Sequence, residues 1–199
     1  MPTGRAACFA LASVGLASLV LAGVASAGTD GDPEVVDAIG DALDTSTALP
    51  IDAPALDLAA VWLEETSTGI AAHVRVADLA AAFRGQTTFR QWNATWDAHG
   101  VTWQVEVLDS RQGQRSASFS VVGTSASGLP QAGAPTFGLS SDTITVEVPK
   151  SFTARVGGET RAFSFAEGAT LSGLRAAALD GTGLTTCSAC APVDAAGPG

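Results

Sequence analysis

The chain has 199 residues, of which 46% are hydrophobic and 15% charged, with 20 Asp+Glu against 10 Lys+Arg and a formal charge of −10. That acidic balance, with no basic stripe to offset it, argues against a nucleic-acid backbone as partner, because like charges repel. The length suits one domain with a core of its own and argues against a multidomain enzyme.

A mean hydropathy of +0.27 suggests a membrane protein until the apolar residues are located. Residues 6–27 are almost wholly apolar or small, and no later stretch is comparable. Met1 to Arg5 forms a short n-region with one positive charge, Phe9 to Leu21 an apolar h-region, and Ala25-Ser26-Ala27 a small-x-small cleavage pattern. Together they predict a secretory signal peptide over 1–27, an exported or cell-surface protein, and no membrane span after cleavage. The alternative is an uncleaved anchor, since the run is close to the ~20 residues that span a bilayer. Cleavage removes Arg5, which makes the mature chain one charge more acidic than the whole.

Residues 28–54 read as an acidic, mostly extended lead-in carrying Asp30, Asp32, Glu34, Asp37, Asp41, Asp44 and Asp52. Within it, Val35 or Val36, Ile39 and Leu43 would share one face of a short helix over Pro33–Leu43, with Gly40 weakening it. The sandwich domain is predicted over 55–180. From Asp57 a period of two appears, with Ala59, Val61 and Leu63 on one parity and Leu58, Ala60 and Trp62 on the other. Beyond Thr66 to Gly69, Ile70, Ala72, Val74 and Val76 alternate with Ala71, His73 and Arg75, so the segment is a hairpin. Pairing symmetric about residues 67 and 68 sets Val61 against Val74 inside and Trp62 against His73 outside. Leu58 and Ala60 share the outer parity, which calls for a bulge or for partial cover by the lead-in.

Trp92, Ala94 and Trp96, then Val101, Trp103, Val105 and Val107, mark a second hairpin whose turn includes His99 and Gly100. Alternating tryptophans are most simply core. A third run covers Arg115–Val122. The Gly/Ser/Pro-rich stretch Gly123–Ser141 reads as a long loop, and Asp142–Val148 as a strand stopped by Pro149. Ser151–Val156 reads as a helical turn or loop, Arg161–Phe165 and Leu174–Ala178 as strands. Seven or eight short strands without long helices predict an all-β fold, an antiparallel β-sandwich of immunoglobulin-like or jelly-roll-like type.

The tail, 181–199, holds the two mature cysteines, Cys187 and Cys190, in Cys-Ser-Ala-Cys. An exported location favours a local disulfide between them. A redox pair would want a helix N-terminus, and the surrounding Gly/Ala/Thr-rich sequence supplies none. Zinc would need more ligands than His73 and His99 provide.

In the order of its motifs the chain resembles secreted prokaryotic β-sandwich domains similar to DOMON domains and family 9 carbohydrate-binding modules. The likeness is carried by Asp37-Ala38-Ile39-Gly40-Asp41-Ala42, by Pro54 to Leu58 running on to Val76-Ala77-Asp78-Leu79, by Ile144 to Lys150, and by Thr170 to Leu174 with Val193-Asp194-Ala195. It spans about Asp37 to Ala195. Such a resemblance implies a non-catalytic domain that binds a sugar or haem. The chain departs from the haem pattern, since its one methionine is Met1 and Met-plus-His ligation has no methionine in the mature chain.

No G-x-S-x-G elbow accompanies His73, so a strand histidine beside Trp62 is the simpler account than a hydrolase base. Glu64, Glu106 and Glu147 all fall on strands, where a solvated face explains them as well as paired carboxylates would. Trp62 with His73 is the candidate ligand platform, because an exposed aromatic can stack on a sugar ring; sheet packing is the competing account. Asp37, Asp41 and Asp44 are the candidate calcium ligands of a lead-in that lacks EF-hand spacing, against a merely solvated acidic segment. The expected function is a secreted, non-catalytic module that binds an extracellular ligand or surface component. The alternative is a structural or adhesive envelope protein, and no cofactor other than calcium is expected.

Overall fold

The structure, a computed structural model, describes residues 29–44, 49–122, 135–165, 169–181 and 194–196, with the backbone alone at 43, 44, 49 and 194–196. The predicted signal segment and the Cys187/Cys190 pair lie outside the described residues. In chain order the strands are β1 (Val35–Val36), β2 (Leu43–Asp44), β3 (Leu49–Pro50), β4 (Leu58–Glu65), β5 (Gly69–Val76), β6 (Phe89–Ala98) and β7 (Val101–Ser110). They continue with β8 (Arg115–Val121), β9 (Thr136–Ser140), β10 (Thr143–Pro149), β11 (Ser151–Val156), β12 (Glu159–Ser164), β13 (Ser172–Gly181) and β14 (Asp194–Ala196). Among the described residues no helix is long and apolar enough to cross a membrane.

Two five-stranded antiparallel sheets form a β-sandwich, the first in the order β1-β4-β5-β10-β9 and the second in the order β14-β13-β6-β7-β8. Two ribbons, β2-β3 and β11-β12, flank them. The inner faces meet in one cluster, with Val61, Val74, Ile144 and Val146 from the first sheet and Trp92, Trp96, Trp103, Val105 and Phe119 from the second. Fully burying one such side chain stabilises by about 1.5–3 kcal/mol, so the alternation of these residues is what commits the chain to two layers. Phe152 and Phe165 extend the core toward the β11-β12 ribbon, each within about 5–6 Å of the Trp103 ring.

Both predicted hairpins form, the first in the expected register. Val61 pairs with Val74 and Trp62 with His73, and a bulge between Leu58 and Ala60 adjusts the outer parity. In the second hairpin Ala98 pairs with Val101, and His99 and Gly100 take positive φ, the two-residue geometry that matches strand twist.

Three local expectations are corrected. Pro33–Leu43 is not a helix: Val35 and Val36 form β1 and pair with Val61 and Ala60, because the edge of β4 offers backbone partners that an isolated short helix lacks. Ile39, which the helical face would have buried, is 66% exposed. The end of the supposed loop, Thr136–Ser140, is β9, laid against β10 through a turn in which Ser141 takes positive φ. Ser151–Val156 is β11, paired along its length with β12, so neighbouring strands decide where local pattern is weak.

Candidate functional site

The outer face of the first sheet carries the predicted platform. Trp62 on β4, His73 on β5 and Thr145 on β10 lie in one cross-strand row. The Trp62 and His73 rings stack with centroids 4.7 Å apart and planes 8° from parallel. His73 Nδ1 is 3.0 Å from the Thr145 hydroxyl, and Nε2 is 3.1 Å from Glu64 Oε2, off the line of a hydrogen bond. Burial pushes the His73 pKa below its ordinary value, opposed by the Glu64 carboxylate and more weakly by Asp30.

Arg75 reaches across this row, its guanidinium carbon 5.8 Å from the indole centroid and its Nη1 donating to Asp30 at 2.8 Å. Glu34, from beyond β1, accepts a 2.6 Å bond from the Leu63 amide. The acidic lead-in therefore lies against this face, and Trp62 is only 3% exposed. A sugar needs an open aromatic face, and the indole offers none here.

Thr145, His73 and Glu64 have the composition of an acyl-transfer relay. However, β10 is hydrogen-bonded on both sides, by β5 and β9, so its amides belong to the ladder and supply no oxyanion site. At the end of the same face Glu147 accepts bonds from the hydroxyls of Thr66 and Thr68, which lower its pKa. Gly69 packs here against the β10 backbone, where a Cβ would come within 1.8 Å of the Val148 carbonyl oxygen.

The outer face of the second sheet differs in chemistry. Opposite in parity to the buried tryptophans stand Gln91 and Asn93 on β6, and Gln104 and Glu106 on β7, with Asn93 paired across to Glu106. All four are half-buried. Gln104 Nε2 and Gln91 Nε2 both donate to Asn93 Oδ1 at 3.1 Å, and Gln91 Nε2 also donates to Glu106 Oε2 at 2.8 Å. Burial raises the Glu106 pKa. These bonds leave the Asn93 amide N–H groups and the Gln91 and Gln104 side-chain oxygens without a partner among the described residues. Ser118 and Ser120 continue the face on β8, opposite Glu106 and Gln104. Sequence reasoning met only Glu106 of this set. The available signal was amides on the outer parity of strands whose inner parity is tryptophan and valine.

At one end of the sandwich a cavity of about 230 Å³ is lined by Asp52–Leu56, Ala81, Ala82, Arg84, Arg90 and Asp180. Arg90 is buried; Nη1 donates to the Ala81 carbonyl and Nη2 to Asp109, each at 2.8 Å, while Phe83 covers it at 4.3 Å. Asp109 also accepts from Arg115 at 3.0 Å, and Arg84 grips Asp180 through two 3.3 Å bonds. These pairs tie the loop after β5 to the second sheet.

Of the predicted calcium ligands, Asp37 lies just after β1 and Asp41 just beyond the Gly40 turn, while the Asp44 side chain lies outside the described residues. No three His, Cys, Asp or Glu side chains converge as a metal-ligand set among the described residues. The structure instead brings Asp57, unassigned by sequence reasoning, beneath the turn. Its Oδ2 accepts from the Gly40 amide at 2.7 Å, and Asp37 Oδ1 accepts from the Ala38 amide at 3.0 Å. Burial raises the pKa of both carboxyls, the two backbone bonds oppose this, and the neighbouring acids raise them further. No protein-family model, curated protein or solved structure matches the chain.

Proposed function

We propose that this chain is an exported, non-catalytic β-sandwich binding module that holds a polyhydroxylated ligand, a carbohydrate, on the outer face of its second sheet. The observation that carries this is the linked row Gln104–Asn93–Gln91–Glu106. Side-chain amides both donate and accept, as sugar hydroxyls do. Their mutual bonds hold the side chains in place before a ligand arrives, which reduces the entropy lost on binding. The acidic chain disfavours polyanions and leaves a neutral sugar as the better match. Export rests on the apolar segment and the Ala25-Ser26-Ala27 step, and the resemblance to carbohydrate-binding modules points the same way.

The test is a glycan array on the mature chain, followed by calorimetry with any hit. Binding should persist in Trp62→Ala, insofar as it folds, and weaken in Asn93→Ala and Gln104→Ala. Absence of binding by the wild type, or equal affinity in the two amide variants, would overturn the reading. The adhesive alternative draws on the exposed Val36 and Ile39 beside the edge of the first sheet. It predicts protein capture that Val36→Asp abolishes and sugars do not compete.

A further inference from the structure

The Asp37–Asp57 pair presents a problem that neither the fold nor the carbohydrate face explains. Asp57 is 5% exposed, and its Oδ1 has no hydrogen-bond partner; Asp37 Oδ2 is likewise buried without a partner. Asp41 acts on both as a third negative charge, and Asp37, Asp41 and Asp57 take part in no salt bridge among the described residues. Buried acceptor oxygens of like charge are unfavourable unless something positive joins them. An ion of the calcium class suits them: it takes carboxylate, main-chain and water oxygens and tolerates irregular geometry, so the two carboxylates need supply only part of its shell. Magnesium demands a more regular octahedron and keeps more of its water.

We propose that Asp57 and Asp37, completed by main-chain and water oxygens, hold a calcium-class cation that fastens the lead-in to the first sheet. The placement suits this role. Asp37 follows β1 and its amide bonds the Ala59 carbonyl at 3.0 Å, while Asp57 immediately precedes β4. An ion between them would clamp the end of the β1–β4 pairing where β1 stops and β4 begins, and would hold in place the segment that carries Asp30 and Glu34 over Trp62.

The experiment uses the full mature chain, stripped with a chelator and then titrated with calcium chloride and, separately, magnesium chloride at pH 7. Calcium should bind at one saturable site with a Kd of roughly 10⁻⁴–10⁻³ M, the range of extracellular calcium modules. It should raise the melting midpoint and slow hydrogen exchange at the Ala38–Ala42 amides, with magnesium weaker. Asp57→Asn should abolish the calcium response while the metal-free protein melts no lower than metal-free wild type, because one like charge is gone. If that variant does not fold, Asp37→Asn takes its place, and exchange on the wild type still locates the site. A midpoint unmoved by calcium overturns the proposal. So does a response that survives Asp57→Asn, or calcium protection that falls elsewhere. Stabilisation on lowering the pH to 5 with no calcium response would show that a shared proton, and not a cation, joins the pair.

Discussion

The two outer faces of the sandwich are built by the same rule and end in different states. On each, alternate residues of an antiparallel sheet point away from the core. The first face holds the aromatic residue, Trp62, yet His73, Arg75 and the lead-in close over it, with Arg75 paired to Asp30 and the His73 ring stacked on the indole beside Glu64. The second has no aromatic in its row, and it keeps neutral amides with hydrogen-bonding capacity to spare. Aromatic content alone does not make a binding surface. What packs on the face decides, and here a short edge strand, β1, brings a lid to one sheet.

The sharpest way to break the comparison is Trp62→Ala. Removing a buried aromatic costs about 3–5 kcal/mol, read as a lower denaturation midpoint, while the folded fraction should bind sugar as before. A large loss of affinity with little loss of stability would reverse the roles of the two faces. Asn93→Ala and Gln104→Ala should do the opposite. Stability should fall by less than about 1.5 kcal/mol in Gln104→Ala, which loses one hydrogen bond, and by less than about 3 kcal/mol in Asn93→Ala, which loses two, while affinity falls about tenfold, equivalent to about 1.4 kcal/mol.

Acidification probes the closed face again. A buried His73 whose pKa is lowered binds protons less readily folded than unfolded, so its contribution is present above the ordinary histidine value and lost as the pH falls below it. Between pH 7 and 5 this should lower stability by less than about 1.4 kcal/mol per pH unit, and His73→Gln should flatten that slope. Asp37, Asp57 and Glu106, with raised pKa values, act in the opposite direction at lower pH, where the folded state binds the extra proton. The smallest effect is expected from Asp30→Ala. The Arg75–Asp30 pair is exposed and worth about 1 kcal/mol or less, but its loss should increase acrylamide quenching of tryptophan emission as the indole opens.

Much of the sandwich was legible because hairpins are local. The Val61–Val74 and Trp62–His73 register follows from a short turn and a period of two, and so does the burial of Trp92, Trp96 and Trp103. β9 was not legible, since Thr136–Ser140 has a glycine at its centre and becomes a strand through its pairing with β10. The lead-in misled for a related reason. Val35, Ile39 and Leu43 are spaced as a helix would space them, but the free edge of β4 claims Val35 and Val36 instead.

By itself, then, the amino-acid sequence determined the class of fold, the inner and outer parity of the main strands and the pairing of the platform residues. Each of these depends on contacts between near neighbours. Only the tertiary structure decided that Trp62 is closed, that four polar side chains from β6 and β7 join on the other sheet, and that Asp57 meets the Asp37–Asp41 turn. Those outcomes depend on which segments from distant parts of the chain cover which face, and hydrophobic periodicity does not encode that.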